Sequence, residues 1–225
     1  MKPNHLAFVC KGSVLWASKK KKNSHEGYKK SFKKIFDLID FQIKKNIPIT
    51  THYLLPQEYD VDEDEDSLMD ETNNFLNEAL ESELFHKNKI KVSIIGKWYS
   101  LPPKIIETIR RIIDETKDYD GFFVNFCINY DGQEEIVDAC KMIARRVKLG
   151  KIDADAITKE TIKDDLYSSY FLPPDFVFVT GKKRSLSGFL LWDTVDSEII
   201  FTNKEFPDLD LKLVDKVIKR SKKYN

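Results

Sequence analysis

A charged residue follows the first apolar run of the chain, in the stretch HLAFVCKGSVLWAS at residues 5–18. The run at residues 6–10 is typical of a short buried strand, and Lys11 and Gly12 follow it directly. In α/β proteins, ligands bind beyond the carboxyl ends of the strands, so the position of Lys11 predicts a ligand-binding group. A lysine at such a place can act as a point charge on phosphate.

Strands and helices alternate from the start of the chain to its end. Apolar runs predict strands at residues 6–10, 49–55, 90–96, 122–129, 176–180 and 199–202. Apolar residues at helical spacing predict helices over 32–43, 67–85 and 136–147, and a further helix that begins at Pro102 or Pro103. This alternation predicts an α/β fold in one domain, residues 1–225, with a mainly parallel central sheet flanked by helices.

Charge and hydropathy exclude several classes of protein. The chain has 37 lysines and arginines against 37 aspartates and glutamates, so its net charge favours no nucleic-acid partner. Lysines cluster at residues 19–34 and acidic residues at 60–66, and both clusters are typical of solvated surface. The absence of a long apolar stretch or a signal-peptide pattern predicts a cytoplasmic protein. The lysine cluster leaves peripheral contact with a membrane open.

Common catalytic and metal-binding motifs are missing. The sequence has neither a glycine-rich nucleotide loop nor a histidine pattern with the spacing of metal ligands. Cys10, Cys127 and Cys140 lie far apart within apolar runs, so we expect buried free thiols rather than a zinc or redox site.

Four segments, in order, resemble motifs of the cis-prenyltransferases, the undecaprenyl diphosphate synthase-like family. HLAFVCKGSVLWA resembles H-x-A-x-x-M-D-G-N-G-R-W-A, and ITTHYLLPQEY resembles L-T-L-Y-A-F-S-x-E-N-W. VNFCINYDGQEEIVDAC is similar to L-N-I-A-x-N-Y-G-G-R-x-E-I-V-D-A, and LSGFLLWDTVDSEIIFTNKEFPDLD to L-S-N-F-L-L-W-Q-x-A-Y-S-E-L-Y-F-T-x-x-x-W-P-D-F. The resemblance spans essentially the whole chain. It implies a fold that condenses isopentenyl diphosphate onto an allylic diphosphate, with Mg²⁺, to build long cis-polyprenyl chains.

The chain departs from the family pattern where that pattern binds metal and phosphate. Lys11 stands in place of the metal-and-diphosphate aspartate, and a charged ammonium has no lone pair to offer Mg²⁺. The other positions that lose a phosphate-loop residue or a diphosphate-gripping arginine are Ser13, Val14, Leu15, Val179 and Ser185. The resemblance therefore implies no catalytic residue and no metal site in this chain, and Mg²⁺ only in a catalytic partner. Lys11, Lys182, Lys183 and Arg184 leave compensation open for binding.

Other positions keep the family residue. By resemblance alone, the predicted substrate-binding residues are Gly12, Trp16, Ser187 and Glu198. The segment that forms the subunit interface in the family predicts interface residues Phe189, Leu191, Trp192, Ile199 and Phe201. Apolar residues in such a segment fit a core equally well, so both roles stay open.

An intact scaffold without its metal and phosphate residues resembles the Nogo-B-receptor-like partners of heteromeric polyprenyl synthases. The resemblance implies a non-catalytic subunit that is inactive alone and pairs with a catalytic cis-prenyltransferase chain as a heterodimer or heterotetramer. Those partners lend a C-terminal Arg-x-Gly, whereas this chain ends in Lys223, Tyr224 and Asn225.

Three alternatives stay open beside that reading: a homodimer, a divergent but active prenyltransferase, and a stand-alone isoprenoid-binding or scaffolding protein. The acidic loop around Asp62 fits solvated surface first, and a lid or docking role second.

Overall fold

Six parallel strands form the centre of the molecule. The computed structural model describes residues 2–57 and 64–220. The strands are β1 (His5–Val9), β2 (Ile49–Pro56), β3 (Ile90–Ile95), β4 (Phe122–Tyr130), β5 (Phe176–Val179) and β6 (Glu198–Phe201). Their order in the sheet is β3-β4-β2-β1-β5-β6, and every neighbouring pair is parallel. The predicted α/β class and parallel sheet are confirmed, and the strand bounds agree to within one or two residues.

Eight α-helices lie between or after the strands in the described part of the chain. They are α1 (Ser13–Lys19), α2 (Ser24–Lys45), α3 (Glu65–Glu81), α4 (Glu83–Lys87), α5 (Pro103–Thr116), α6 (Gly132–Lys148), α7 (Lys159–Asp165) and α8 (Leu211–Arg220). Local sequence sets several of their starts. Asn23 caps α2 by accepting from the backbone N–H of Glu26, and Pro103 opens α5, where proline is favoured.

The central strands bury both of their faces, whereas the edge strand β6 is largely exposed. Leu6 and Phe8 of β1 join the larger hydrophobic core, under α2, α3 and α5, whereas Ala7 and Val9 point into a smaller core on the other face. This alternation follows from the period of two in a strand. A sheet covered on both faces explains why its strands are almost continuously apolar.

The direction of the chain across the sheet reverses beside β1. β2, β3 and β4 all lie on one side of β1, whereas β5 and β6 lie on the other. Such a switch point opens a crevice at the carboxyl ends of the two strands that flank it. The residues that follow β1 and β5, namely 10–12 and 180–188, therefore meet at this crevice.

Some details of the prediction are corrected. The single helix expected over 67–85 is two helices, because Ser82 adopts an extended conformation and caps α4. Cys140 is exposed rather than buried. The buried side of α6 carries Glu135, Ala139 and Ile143, so of the residues expected to face the core, Ile136, Cys140, Ile143 and Val147, only Ile143 is buried. In the described residues, no helix is both long and apolar enough to cross a membrane.

Candidate functional site: a cavity at the switch point

A cavity of about 560 Å³ opens at the carboxyl ends of β1, β2 and β5. Its polar end lies against the turns that follow these strands, and its apolar end lies under α2. The main lining residues are Cys10, Lys11, Gly12, Ser13, Tyr28, Phe32, Ile35, Tyr53, Leu54, Leu68, Asp131, Lys182, Lys183, Ser187 and Phe206. The cavity therefore joins a charged mouth to an apolar interior.

The backbone of Lys11 is fixed by contacts from two distant parts of the chain. Its N–H donates to Thr180 Oγ1 (2.9 Å), and the Thr180 hydroxyl lies within hydrogen-bond distance of the carbonyls of Val9 (2.9 Å) and Lys11 (3.0 Å). The N–H of Phe206 donates to the Lys11 carbonyl (2.9 Å). Lys11 is thereby held at the end of β1 by the residues that follow β5 and β6.

The Lys11 ammonium lies against the turn that follows β5. Nζ donates to the Ser185 carbonyl (2.7 Å) and to Ser187 Oγ (2.6 Å). Ser187 has a left-handed backbone, with φ of 50°, and its carbonyl oxygen lies 3.2 Å from the Tyr53 hydroxyl oxygen. A non-glycine residue in this region costs of order 1 kcal/mol or more. The surrounding contacts therefore hold the 185–187 turn around the ammonium.

Gly12 follows Lys11 in a conformation that suits glycine. Its φ is 96°, and a Cβ at this position would lie 2.7 Å from Cγ of Glu205. Any other residue would meet both the backbone strain and this clash. The glycine therefore lets the chain turn from β1 into α1 directly under Glu205, whose carboxylate accepts from Lys19 (2.5 Å).

The described lining carries more positive than negative charge. Three lysines, Lys11, Lys182 and Lys183, line the cavity, against a single carboxylate, Asp131. Asp131 Oδ1 accepts from the backbone N–H groups of Gln133 (2.8 Å) and Glu134 (3.0 Å), so it caps the start of α6. A capping carboxylate is balanced in part by the helix dipole. The mouth therefore favours an anion.

The donor set at this mouth does not fit Mg²⁺, the ion that the family resemblance implies. A hard cation requires several oxygen ligands, and carboxylates are the main protein source. Here the residue in the family's aspartate position is an ammonium that donates to two oxygens, and Asp131 already caps a helix. Among residues 2–57 and 64–220, no group of three histidine, cysteine or carboxylate side chains is arranged to hold a metal.

The apolar end of the cavity lies between α2 and the sheet. Phe32 and Ile35 of α2 face Leu54 of β2, and Leu68 of α3 and Phe206 complete the lining. Behind them, Phe32 stacks on Phe75 with ring centroids 4.9 Å apart. Apolar side chains of this kind can bury a hydrocarbon chain.

The structure brings together only some of the predicted substrate-binding residues. Gly12 and Ser187 line the cavity, beside Lys11. Trp16 is buried and does not line the cavity, and its Nε1 has no hydrogen-bond partner among the described residues. Glu198 pairs with Phe176 at the amino-terminal edge of the sheet, so it lies at the opposite edge from the cavity. The geometry does not support Trp16 and Glu198 as ligands for a molecule in this cavity.

The predicted interface residues divide into buried and exposed ones. Phe189 is fully buried and stacks on Tyr53 (5.2 Å between ring centroids), so it is part of the smaller core. Leu191 and Trp192 are partly exposed. Ile199 and Phe201 are 37% and 38% exposed on β6, which is an edge strand. Only the exposed members can contact another chain directly.

A buried polar network supports the cavity wall from behind. Tyr53 donates to the Tyr130 carbonyl (2.9 Å), and the Tyr130 hydroxyl donates to Glu135 Oε2 (2.6 Å). The other Glu135 oxygen accepts from the backbone N–H of Ser168 (3.1 Å). Burial raises the pKa of Glu135, opposed by these two hydrogen bonds. The network ties β2, β4 and α6 to the segment that follows α7.

The sequence interpretation gave no individual role to Thr180, Tyr53 or Asp131, although Thr180 and Asp131 lie where the carboxyl ends of predicted strands place a ligand crevice. Thr180 is the last residue of one predicted strand and Tyr53 lies inside another, but Lys11 and Ser187, which they contact, are more than a hundred residues away from them in sequence. The acidic loop around Asp62 and the terminal Lys223–Asn225 lie outside the described ranges.

The all-parallel α/β sheet has at its switch point a cavity with a cationic mouth and an apolar interior, a shape and charge that suit a molecule with an anionic end and an apolar body. Residues 9–225 match the family model described as "Putative undecaprenyl diphosphate synthase". The chain belongs to this family, the cis-prenyltransferases.

Individual relatives agree with this assignment. The chain is 32% identical over 209 residues to a tritrans,polycis-undecaprenyl-diphosphate synthase (geranylgeranyl-diphosphate specific) of Thermoplasma volcanium, covering 92% of this chain and 81% of that protein. It is 30% identical over 229 residues to a ditrans,polycis-undecaprenyl-diphosphate synthase ((2E,6E)-farnesyl-diphosphate specific) of Buchnera aphidicola, covering 99% and 90%. The crystal structure of lavandulyl diphosphate synthase from Lavandula x intermedia superimposes with a TM-score of 0.90 at 25% identity, covering 98% and 96%.

Proposed function

We propose that this chain is a non-catalytic subunit that supports a catalytic cis-prenyltransferase chain in the synthesis of long-chain polyprenyl diphosphate. The observation that carries the proposal is the Lys11 ammonium, fixed by Ser185 and Ser187 at the position of the family's metal-binding aspartate. Catalysis in this family requires a metal to stabilise the departing diphosphate, and an ammonium cannot coordinate that metal. The six-stranded sheet and the cavity at its switch point are present.

The exposed edge of the sheet supports the pairing with another chain. Ile199 and Phe201 on β6 and the nearby Val195 expose apolar side chains at the end of the sheet. An exposed apolar edge strand is a surface that proteins usually cover. The proposed partner is a chain that retains the M-D-G-N-G-R-W motif, in a heterodimer or heterotetramer, with Mg²⁺ bound in that partner.

A second candidate is an active, divergent prenyltransferase, and the comparisons by themselves favour it over the first. The relatives are named as synthases and cover most of this chain at about 30% identity. In that case the enzyme would transfer prenyl groups with a charge arrangement other than the family's aspartate and arginines. Homodimerisation through the same edge would then replace the heteromeric pairing.

The experiment that separates the two candidates is an activity assay on the chain alone and with a partner. The purified chain is incubated with isopentenyl diphosphate, Mg²⁺ and either geranylgeranyl or farnesyl diphosphate, the allylic substrates in the relatives' names. The same assay is run after co-expression with a motif-complete chain. Turnover by the chain alone supports the second candidate. Stimulation of a co-purifying partner, without turnover alone, supports the first.

A pair of matched variants tests whether the apolar edge makes the contact. Phe201→Glu places a charge on β6 and should abolish co-purification with the partner. Leu149→Glu changes another exposed apolar residue, at the end of α6, and should leave co-purification intact. Equal retention of the partner by both variants would show that the β6 edge is not the interface. Retention of isoprenoid lipid with neither turnover nor a partner would instead indicate a stand-alone binding protein.

A further inference from the structure

The cavity mouth combines a fixed cation with a donor set that does not fit Mg²⁺. We propose that this cavity binds an isoprenoid diphosphate without a divalent cation, with the Lys11 ammonium providing the positive charge that a metal provides elsewhere in the family. The inference rests on the proposed function only for the isoprenoid class of the ligand. The charge and the shape of the site come from this chain's own residues.

The preference for an anion follows from the groups at the mouth. Lys11, Lys182 and Lys183 face a single carboxylate among the described lining residues, and that carboxylate, Asp131, is held at the N-terminus of the 17-residue helix α6. Lysine binds phosphate as a point charge, which needs no metal bridge. An ammonium and a divalent ion are alternatives at one place, because each neutralises the same phosphate oxygens.

Lys11 differs from the other two lysines in how firmly it is held. Lys182 and Lys183 are exposed, whereas Lys11 is partly buried, and its Nζ is 2.7 Å from the Ser185 carbonyl and 2.6 Å from Ser187 Oγ. A side chain that is already ordered loses less conformational entropy when a ligand binds. Lys11 is therefore the cation expected to contribute most to affinity.

The shape of the cavity favours a ligand with a hydrocarbon tail over a bare anion. From the mouth, the lining continues to Tyr28, Phe32, Ile35 and Leu68, all on helices that cover one face of the sheet. About 560 Å³ falls within the usual size of small-molecule sites. The head and the tail should thus contribute separately, and neither alone should match the whole ligand.

The test is calorimetric titration of the purified chain with farnesyl diphosphate, once in EDTA and once in excess Mg²⁺. We expect dissociation constants that agree within about twofold, because no metal bridge is needed. Farnesol and inorganic pyrophosphate, titrated separately, should each bind at least about tenfold more weakly, since each lacks one part of the ligand. This measurement needs no variant, so it does not depend on how a substitution folds.

A matched pair of lysine variants locates the charge. Lys11→Met should weaken binding in EDTA about ten- to a hundredfold, the range expected for losing a charge-assisted contact. Lys30→Met removes the same charge from an exposed position on α2 that does not line the cavity, and should change affinity less than about twofold.

Three outcomes would overturn the inference: binding that requires Mg²⁺, equal affinity in the two lysine variants, or no detectable binding of farnesyl diphosphate. None of them bears on partner activation, which is measured by co-purification and turnover. Conversely, failure to activate a partner would remove the proposed function while leaving metal-independent binding measurable.

Discussion

The turn after β1 and the turn after β4 stand at the same edge of one sheet, yet they differ in how their residues are used. After β4, the segment from Asn129 to Glu135 keeps most of the family pattern and departs from it at Asp131 and Gln133, where the pattern has glycine and arginine. Its polar groups are bonded within the chain: Tyr130 to Glu135, and Asp131 to the start of α6. After β1, the chain departs from the pattern, and Lys11 faces the cavity. Residues that agree with the family pattern in the β4 turn thus stabilise the fold, whereas residues that depart from it in the β1 turn change the chemistry of the cavity.

The first prediction tests the structural role of the β4 turn. Replacing Glu135 by alanine leaves two buried donors, the Tyr130 hydroxyl and the Ser168 N–H, without their acceptor. Each orphaned donor costs about 1–3 kcal/mol, so we expect a loss of about 3 kcal/mol in the free energy of unfolding. Urea denaturation followed by circular dichroism measures the change.

The control for this variant is the neighbouring Glu134→Ala. Glu134 is partly exposed and pairs with Lys97 at 2.7 Å, so its removal should cost less than about 1 kcal/mol. Similar losses in the two variants would contradict the view that the β4 turn acts through its buried network.

The second prediction concerns the pH dependence of stability and tests buried groups that lie away from the cavity mouth. Burial lowers the pKa of His5 to about 4 and that of His52 to about 3, so both are neutral in the folded chain. The Leu172 carbonyl can only accept, so His5 donates to it from Nδ1, and Nε2 accepts from Thr51.

In the unfolded chain both histidines take up protons near pH 6.5, so the unfolded state binds more protons and stability falls as the pH falls below that value. The two together should cost roughly 1–2 kcal/mol between pH 7.5 and pH 6. Burial raises the pKa of Glu135, which acts in the opposite sense. Urea titrations at both pH values of the chain and of His52→Phe isolate one histidine. An unchanged pH slope in that variant would show that His52 is not held neutral by burial.

The third prediction concerns Lys11 at the cavity mouth. Lys11→Met removes two hydrogen bonds that are partly buried and that end on a surface turn, so we expect a stability loss of about 1 kcal/mol or less. The same urea measurement applies. A loss as large as that of Glu135→Ala would mean that Lys11 serves the fold and would weaken the case for a binding role.

Much of this fold follows from the sequence because strand periodicity and strand–helix alternation are local signals. The six strands and the start of α5 at Pro103 could be predicted from them. The break between α3 and α4 at Ser82, and which face of α6 is buried, could not be predicted from them. In α6 the buried face includes Glu135, and a charged residue is a poor indicator of burial until its distant partner, Ser168, is known.

The site was predictable in its location and less so in its composition. The rule for parallel sheets placed Lys11 at a ligand crevice, and the structure puts Gly12 and Ser187 beside it. The other two predicted binding residues lie away from the cavity. Glu198 begins β6, at the amino-terminal ends of the strands, and the Trp16 side chain is buried in the core. Neither fact is visible in a motif, because a motif does not show the direction of a side chain.

The last prediction is that a single change does not restore the family's chemistry. Lys11→Asp returns the carboxylate, yet Leu15 and Val179 still stand where the pattern has arginines, and Val179 is fully buried in β5. Bidentate phosphate contacts of that kind are worth roughly 1.5–3 kcal/mol each, and one carboxylate does not replace them. Incorporation of radiolabelled isopentenyl diphosphate by the purified variant should therefore stay at background, with the unchanged chain as control. Measurable turnover would show that the β1 turn alone separates this chain from an active synthase, and the comparison between the two turns would then rest on one residue.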